Sequence, residues 1–211
     1  MPQDDHVRLI SHPLVQHKLT IARDAKTPPH EFRRLLTELA LLMAFELTRE
    51  HETEEIEVQT PLGISKGHLL ATEITLVPIL RAGLGMADGI LRLVPQARVG
   101  HLGIYRDENT LEPVVYYNKL PPDIGRTEVI VIDPMLATGG SGVAAVDAVK
   151  KAGAKCIKLL CLVAAPDGIA RLYKSHPDVL VYTAAVDSHL DERGFIVPGL
   201  GDAGDRIFGT E

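Results

Sequence analysis

The spacing of apolar positions changes about a third of the way along the chain. Phe32, Leu35, Leu36, Leu39, Leu42, Met43 and Leu47 recur at intervals that keep them on one helical face for about four turns. Thr27-Pro28-Pro29 opens this helix, and Ser11-His12-Pro13 opens an earlier one. Proline suits such a start because its missing N–H would have no intrahelical partner there. The first third therefore reads as helical. From residue 68 onward, short apolar runs alternate with helical stretches. Strands are predicted at Ile74 to Leu80, Val99 to Tyr105, Val129 to Ile132, Cys156 to Val163 and Val179 to Thr183. Helices are predicted after Arg81-Ala82-Gly83, at Val143 to Lys151 and at Asp167 to Ser175. Val129-Ile130-Val131-Ile132 is wholly β-branched, as expected of a strand buried on both faces. The alternation predicts an α/β fold with a largely parallel sheet flanked by helices. Ligands of such sheets sit beyond the carboxyl ends of the strands, so those residues are the candidates for chemistry.

Composition narrows the class. The chain has 211 residues, 45% of them hydrophobic and 24% charged, which predicts one folded domain and excludes a disordered chain. The net charge of −6 argues against bulk attraction to nucleic acid. The most apolar segments, such as Leu39 to Phe45, fall far short of a membrane span. The acidic, polar start Met1-Pro2-Gln3-Asp4-Asp5-His6 has no secretory pattern. Cys156 and Cys161 form no CxxC site, and their odd offset on one strand sends them to opposite faces. They are expected to be small core residues in a reducing cytoplasm. The nine histidines include no pair at metal-binding spacing and are expected to be structural or solvated.

The strongest candidate site follows the most buried strand. Asp133-Pro134-Met135-Leu136-Ala137-Thr138-Gly139-Gly140-Ser141-Gly142 runs from strand end to helix start. Glycines allow close approach of a phosphate, the helix start offers N–H groups and a positive dipole end, and Thr138 and Ser141 add hydroxyl donors. Asp133 can accept from sugar hydroxyls. Gly140-Ser141-Gly142-Val143-Ala144-Ala145 also fits the dinucleotide pattern GxGxxA, so an oxidoreductase is an alternative. That pattern wants an acid at the end of the next strand, and none stands there before Asp167. GxxxxGK[ST], the phosphate loop of many ATPases, is absent. Arg81 and Arg106 each follow a predicted strand, where a guanidinium can grip phosphate oxygens through two parallel hydrogen bonds.

The Asp133 to Ser141 segment resembles the phosphoribosyl-diphosphate loop of type I phosphoribosyltransferases. Most of that superfamily has two adjacent acids here, and this chain has Pro134 as the second residue. The form Asp-Pro-Met-Leu-Ala-Thr-Gly-Gly-Ser resembles that of uracil phosphoribosyltransferases. Four further segments resemble the same family: His12 to Leu19 its opening helix, Pro78 to Met86 its pyrophosphate loop, Tyr105 to Pro121 its mobile arm, and Ile196 to Arg206 its uracil-binding loop. The resemblance covers nearly the whole chain.

The resemblance implies transfer of phosphoribose from 5-phospho-α-D-ribose 1-diphosphate to uracil, giving UMP and diphosphate in pyrimidine salvage. It implies one domain over residues 1–211, with a helical part to about 67, an α/β core to about 185 and a C-terminal hood from about 186. Arg81, Arg106, Asp133, Pro134, Met135, Leu136, Ala137, Thr138, Gly139, Gly140, Ser141 and Asp202 are then expected at the phosphoribosyl diphosphate. Ile196, Gly201, Asp202 and Ala203 are expected at uracil, and Asp133, Arg106 and Asp202 at the catalytic centre. Arg106 also belongs to a loop expected to close over the substrate. Mg²⁺ is expected mainly on the diphosphate, with Asp202 nearby. The family further implies a homo-oligomer, dimer or tetramer, and in parts of it GTP is an effector. An RNA-binding pyrimidine regulator on the same fold is the other alternative; the −6 charge and the uracil-loop match speak for an enzyme without nucleic-acid or membrane partners.

Overall fold

The structure is a computed structural model that describes residues 6–106, the Arg106 side chain excepted, and residues 112–210. In chain order the elements are β1 (Val7–Leu9), α1 (Pro13–Arg23), α2 (Pro29–Leu47), β2 (Thr53–Thr60), β3 (Gly63–Leu70), β4 (Ile74–Leu80) and α3 (Leu84–Leu93). Then come β5 (Arg98–Val99), β6 (His101–Arg106), β7 (Pro113–Lys119), a 3₁₀ turn at Ile124–Arg126, β8 (Glu128–Ile132), β9 (Met135–Leu136), α4 (Gly140–Lys151) and β10 (Cys156–Ala164). α5 (Pro166–Ser175), β11 (Leu180–Val186), β12 (His189–Leu190), β13 (Ile196–Val197) and α6 (Ala203–Phe208) complete the fold.

The main sheet has the order β1-β11-β10-β8-β4-β6-β7. Its pairs are parallel except the last, where β7 returns antiparallel to β6. The two-residue period of a strand assigns its faces. Ile130, Ile132, Leu160 and Leu162 pack into one apolar cluster with α1, α2 and α3, including Val15, Leu19, Leu36 and Ile90. Val129, Val131, Leu159 and Cys161 pack into a second cluster with Val146 of α4 and Leu172 of α5. β8 is thus buried on both faces, as its β-branched run predicts, and each fully buried Leu or Ile contributes roughly 1.5–3 kcal/mol. Ile196, Leu200 and Ile207 anchor the C-terminal segment in the first cluster.

Three expectations need correction. The first third is not all helical: β1 adds to the sheet edge, and β2 and β3 form an antiparallel hairpin over Thr53–Leu70. Only Ile56 and Val58 interrupt the polar run of β2, too few apolar positions to show a period until the partner strand is in place. A boundary near residue 67 therefore falls inside β3. The strand expected from Val99 to Tyr105 is divided at Gly100 into β5 and β6, which pair with β4 in one parallel register; the Gly100 N–H still donates to Leu76 O at 2.8 Å, and Pro78 of β4, having no N–H to give, interrupts the ladder there. The two cysteines do face opposite ways, but only Cys161 is core, where burial pushes its thiol up to about 12. Cys156 is exposed at the strand's first position, with Sγ 3.6 Å from Glu128 Oε2.

Candidate active site

A cleft of about 220 Å³ opens at the carboxyl end of β8. Asp133 and every residue from Met135 to Gly142 line it, together with Gly201, Asp202, Ala203 and Gly204 of the C-terminal hood. Backbone contacts hold the loop after β8 against β10. Leu162 N–H and Val163 N–H donate to Pro134 O at 3.0 and 3.2 Å, and Ala165 N–H donates to Leu136 O at 2.9 Å. Gly139 adopts φ +78°, and α4 starts beyond it with no side-chain cap. The N–H groups of its first turn have no intrahelical acceptor, and Gly140, Ser141 and Gly142 of that turn line the cleft. Gly168 in α5 lets the loop lie flat: a Cβ there would meet Ala137 O and come within 2.6 Å of Leu136 O.

Asp133 is half-buried beside this loop. Burial pushes its carboxyl up to about 7; the Met135 N–H opposes the rise and the charge of Asp202 adds to it. Asp202 is exposed at the start of α6, where its Oδ1 accepts from Asp205 N–H at 3.0 Å. Arg81 follows the Leu80–Arg81 cis peptide, and Gly83 lies so close to the Ile132 carbonyl that a Cβ would stand 2.5 Å from it. Among these residues Ala82 lines the cleft. The Arg81 guanidinium instead reaches Asp205 Oδ1 at 3.3 Å.

The structure therefore gathers Asp133, Met135 through Ser141, Gly201, Asp202 and Ala203 around one cleft. Pro134 and Ile196 are buried and do not line it. Arg81 stands at its edge, with Nη2 3.8 Å from where a Cβ of Gly204 would be. The Arg106 side chain and Asp107 and Glu108 of the expected closing arm lie outside the described residues.

Several contributors were not among the expected site residues. Gly194 and Phe195 line the cleft; Asp191 Oδ1 holds their turn by accepting from Arg193 N–H and Phe195 N–H at 2.9 and 2.8 Å. Arg23 and Asp187 form an ion pair of 2.7 Å beside Gly199. Arg206 donates to the carbonyls of Ala22, Leu200 and Asp24 at 2.7, 2.8 and 2.6 Å and stacks on Phe32. The dinucleotide alternative gains nothing: β10 ends at Ala164, and Asp167 lies in the first turn of α5.

The sequence model of a family described as uracil phosphoribosyltransferase matches residues 9–210. The chain belongs to the uracil phosphoribosyltransferase family. A uracil phosphoribosyltransferase of Dictyoglomus turgidum is 59% identical over 206 residues, 97% of this chain and 100% of the relative. That of Bacillus licheniformis is 58% identical, over 97% and 99% of the two chains. Among solved structures, the AQ2163 protein of Aquifex aeolicus is 40% identical with a TM-score of 0.92, covering 96% of this chain and 97% of that one. A Bacillus anthracis hypoxanthine-guanine phosphoribosyltransferase, 13% identical with a TM-score of 0.50, covers 75% of this chain and 80% of its own. At that distance only the fold is shared. For this member of the uracil phosphoribosyltransferase family, the sheet and the flanking helices are the type I phosphoribosyltransferase fold. No helix among the described residues is long and apolar enough to cross a membrane.

Proposed function

We propose that the protein transfers phosphoribose from 5-phospho-α-D-ribose 1-diphosphate to N1 of uracil, releasing UMP and diphosphate. The observation that carries this reading is one cleft lined both by the helix-start loop from Met135 to Gly142 and by the hood residues Gly201 to Gly204. The first is built to hold a phosphate and the second exposes backbone groups suited to a flat base. We read residues 1–211 as one domain, since a single apolar cluster joins α1 and α2 to the sheet and the hood.

In this reaction N1 forms the bond to the anomeric carbon, and the carbon–oxygen bond to diphosphate breaks with its electron pair. The N1 proton is released. Met135 through Ser141 hold the 5-phosphate, and the Asp133 carboxylate accepts from ribose hydroxyls and stabilises positive charge developing on the ring. Arg81 and Arg106 grip the diphosphate. Gly201, Asp202 and Ala203 orient uracil, with Ile196 packed beneath them. The protein's contribution is positioning and electrostatics.

The residues fit Mg²⁺. Asp133 and Asp202 share the cleft, and the charge of one raises the pKa of the other, a repulsion that a cation relieves. The described residues hold no cluster of three or more ligand-type side chains, and Mg²⁺ at phosphate sites commonly needs only one or two carboxylates. Asp202 is the residue that would hold it, beside the substrate's own diphosphate. When bound, Mg²⁺ neutralises charge on the departing diphosphate.

The enzyme is expected to act in a reducing cytoplasm, which the two free cysteines support, and as a dimer or tetramer open to GTP. The deciding experiment is product analysis after mixing protein, Mg²⁺, phosphoribosyl diphosphate and each free base in turn. UMP from uracil alone supports the reading; a nucleotide from another base, or none, overturns it.

A further inference from the structure

The segment that follows β13 is tied to the far end of α1. Arg23, the last residue of α1, forks onto Asp187, with Nη1 to Oδ2 at 2.7 Å and Nη2 to Oδ1 at 2.8 Å. Both backbone polar groups of Gly199 enter this pair. Its N–H donates to Asp187 Oδ2 at 2.8 Å, and its carbonyl accepts from Arg23 Nη1 at 2.8 Å. Gly199 adopts φ +60°, where a Cβ would strike the Ile196 carbonyl. Asp187 is only 9% exposed. The next carbonyl, that of Leu200, accepts from Arg206 Nη1 at 2.8 Å, and Arg206 also binds the carbonyls of Ala22 and Asp24 that flank Arg23. Two successive residues of the loop are thus fixed to one helix end, directly before Gly201, Asp202 and Ala203 enter the cleft.

We propose that Arg23 and Asp187 are positioning residues for the base: their ion pair sets the backbone at Gly199 and thereby aims the uracil-facing groups of Gly201 to Ala203. Neither side chain lines the cleft, so both act through the loop. This rests on the reading that uracil is the substrate and that this loop receives it. A site that reads a base edge with backbone dipoles needs those dipoles held to a fraction of an ångström. The Asp187 carboxylate is buried and Arg23 half-buried; such a pair is a weak source of net stability but imposes geometry on what it binds. Here it binds a donor and an acceptor of the same residue.

The test is steady-state kinetics of Asp187→Asn and Arg23→Lys with each substrate varied in turn. Asp187→Asn keeps the shape and one acceptor oxygen but turns an amide donor toward Arg23. Arg23→Lys keeps the charge but loses the fork that reaches both Asp187 and Gly199. The uracil KM is expected to rise about tenfold or more in Asp187→Asn, as for loss of a hydrogen bond to a charged group. The rise should be smaller in Arg23→Lys, and the KM for phosphoribosyl diphosphate should be unchanged in both. An unchanged uracil KM, or equal rises in both KM values, overturns the proposal. Hydrogen exchange on the ligand-free wild type gives a readout that needs no variant to fold: the Gly199 amide should exchange as slowly as those of β8. Exchange at the rate of an open loop overturns the proposal equally. Wild-type UMP formation in the same assay tests the reading beneath it, so the two failures are distinguishable.

Discussion

The Arg81 guanidinium stands 3.3 Å from Asp205 Oδ1 and 5.5 Å from the centre of the Phe208 ring, tying the loop after β4 to α6 across 124 positions of sequence. More than half of the Arg81 side chain is exposed, and exposed pairs of this kind contribute little stability. Asp205 therefore parks the cation at the cleft edge without holding it strongly. A diphosphate, with more charge and parallel acceptor oxygens, can take it over.

Arg81→Ala should weaken phosphoribosyl diphosphate binding by about tenfold or more, the scale of one charge-assisted bidentate contact. Arg106→Ala should do the same. UMP lacks the diphosphate and should bind both variants as it binds wild type. Calorimetric titration with the two ligands decides, and equal losses for both would remove these arginines from the diphosphate.

Asp133 carries a pH signature. Burial raises its carboxyl to about 7, well above the value near 4 of an unfolded aspartate. Between those values the folded protein keeps a proton that the unfolded chain has released. Its contribution to stability is full below about 4 and is lost as pH rises through about 7. Asp133→Asn should remove this loss, gaining on wild type by on the order of 2–4 kcal/mol from pH 4 to pH 8 in urea unfolding of the ligand-free protein. The same variant should raise the catalytic barrier by about 2–4 kcal/mol, as for loss of one electrostatic stabiliser. Wild-type kcat/KM in Asp133→Asn would refute its role at the ribose.

Gly168→Ala tests the floor of the phosphate loop. The added methyl meets the Ala137 carbonyl and falls within 2.6 Å of the Leu136 carbonyl, so loop and α5 must separate. Overpacking of this kind typically costs about 1–3 kcal/mol, which thermal unfolding would register. Affinity for phosphoribosyl diphosphate should fall with it, while uracil specificity is retained. A variant with unchanged melting temperature and affinity would show that the loop does not depend on this contact.

Ala203 tests the base wall. It is buried and lines the cleft. Ala203→Leu should abolish use of every base by steric conflict, whereas Ala203→Ser should leave the preference for uracil over cytosine nearly intact. That preference should reach ~10⁴ in kcat/KM, because cytosine leaves buried donors and acceptors unpaired. Full uracil activity in Ala203→Leu would move the base site elsewhere.

What the sequence by itself determined is what local order can carry. A β-branched run, an acid, a glycine-rich turn and a helix succeed one another between residues 129 and 151, and the structure keeps them in that order as β8, loop and α4. The periods of two and three to four are likewise local, so the alternation of strands and helices and the glycine-rich loop at 135–141 were legible, whereas a place for 201–203 beside that loop was implied only by the resemblance of Ile196 to Arg206 to the family's uracil-binding loop. The hairpin over Thr53–Leu70 was not legible, because its pattern is mostly polar and gains meaning only when the two strands pair. Tertiary structure alone decided the contacts between distant residues. Arg23 meets Asp187 across 164 positions and Gly199 across 176, and Arg206 meets Ala22 across 184. In the sequence Arg23 and Asp187 are single charged residues of no distinctive spacing, and Arg206 is marked only as the end of the Ile196 to Arg206 segment. Hydrogen bonding and burial give them a role only after hydrophobic packing of α1, α2 and the hood on the sheet has brought them within 3 Å, and no short-range pattern encodes which distant partner that packing will supply.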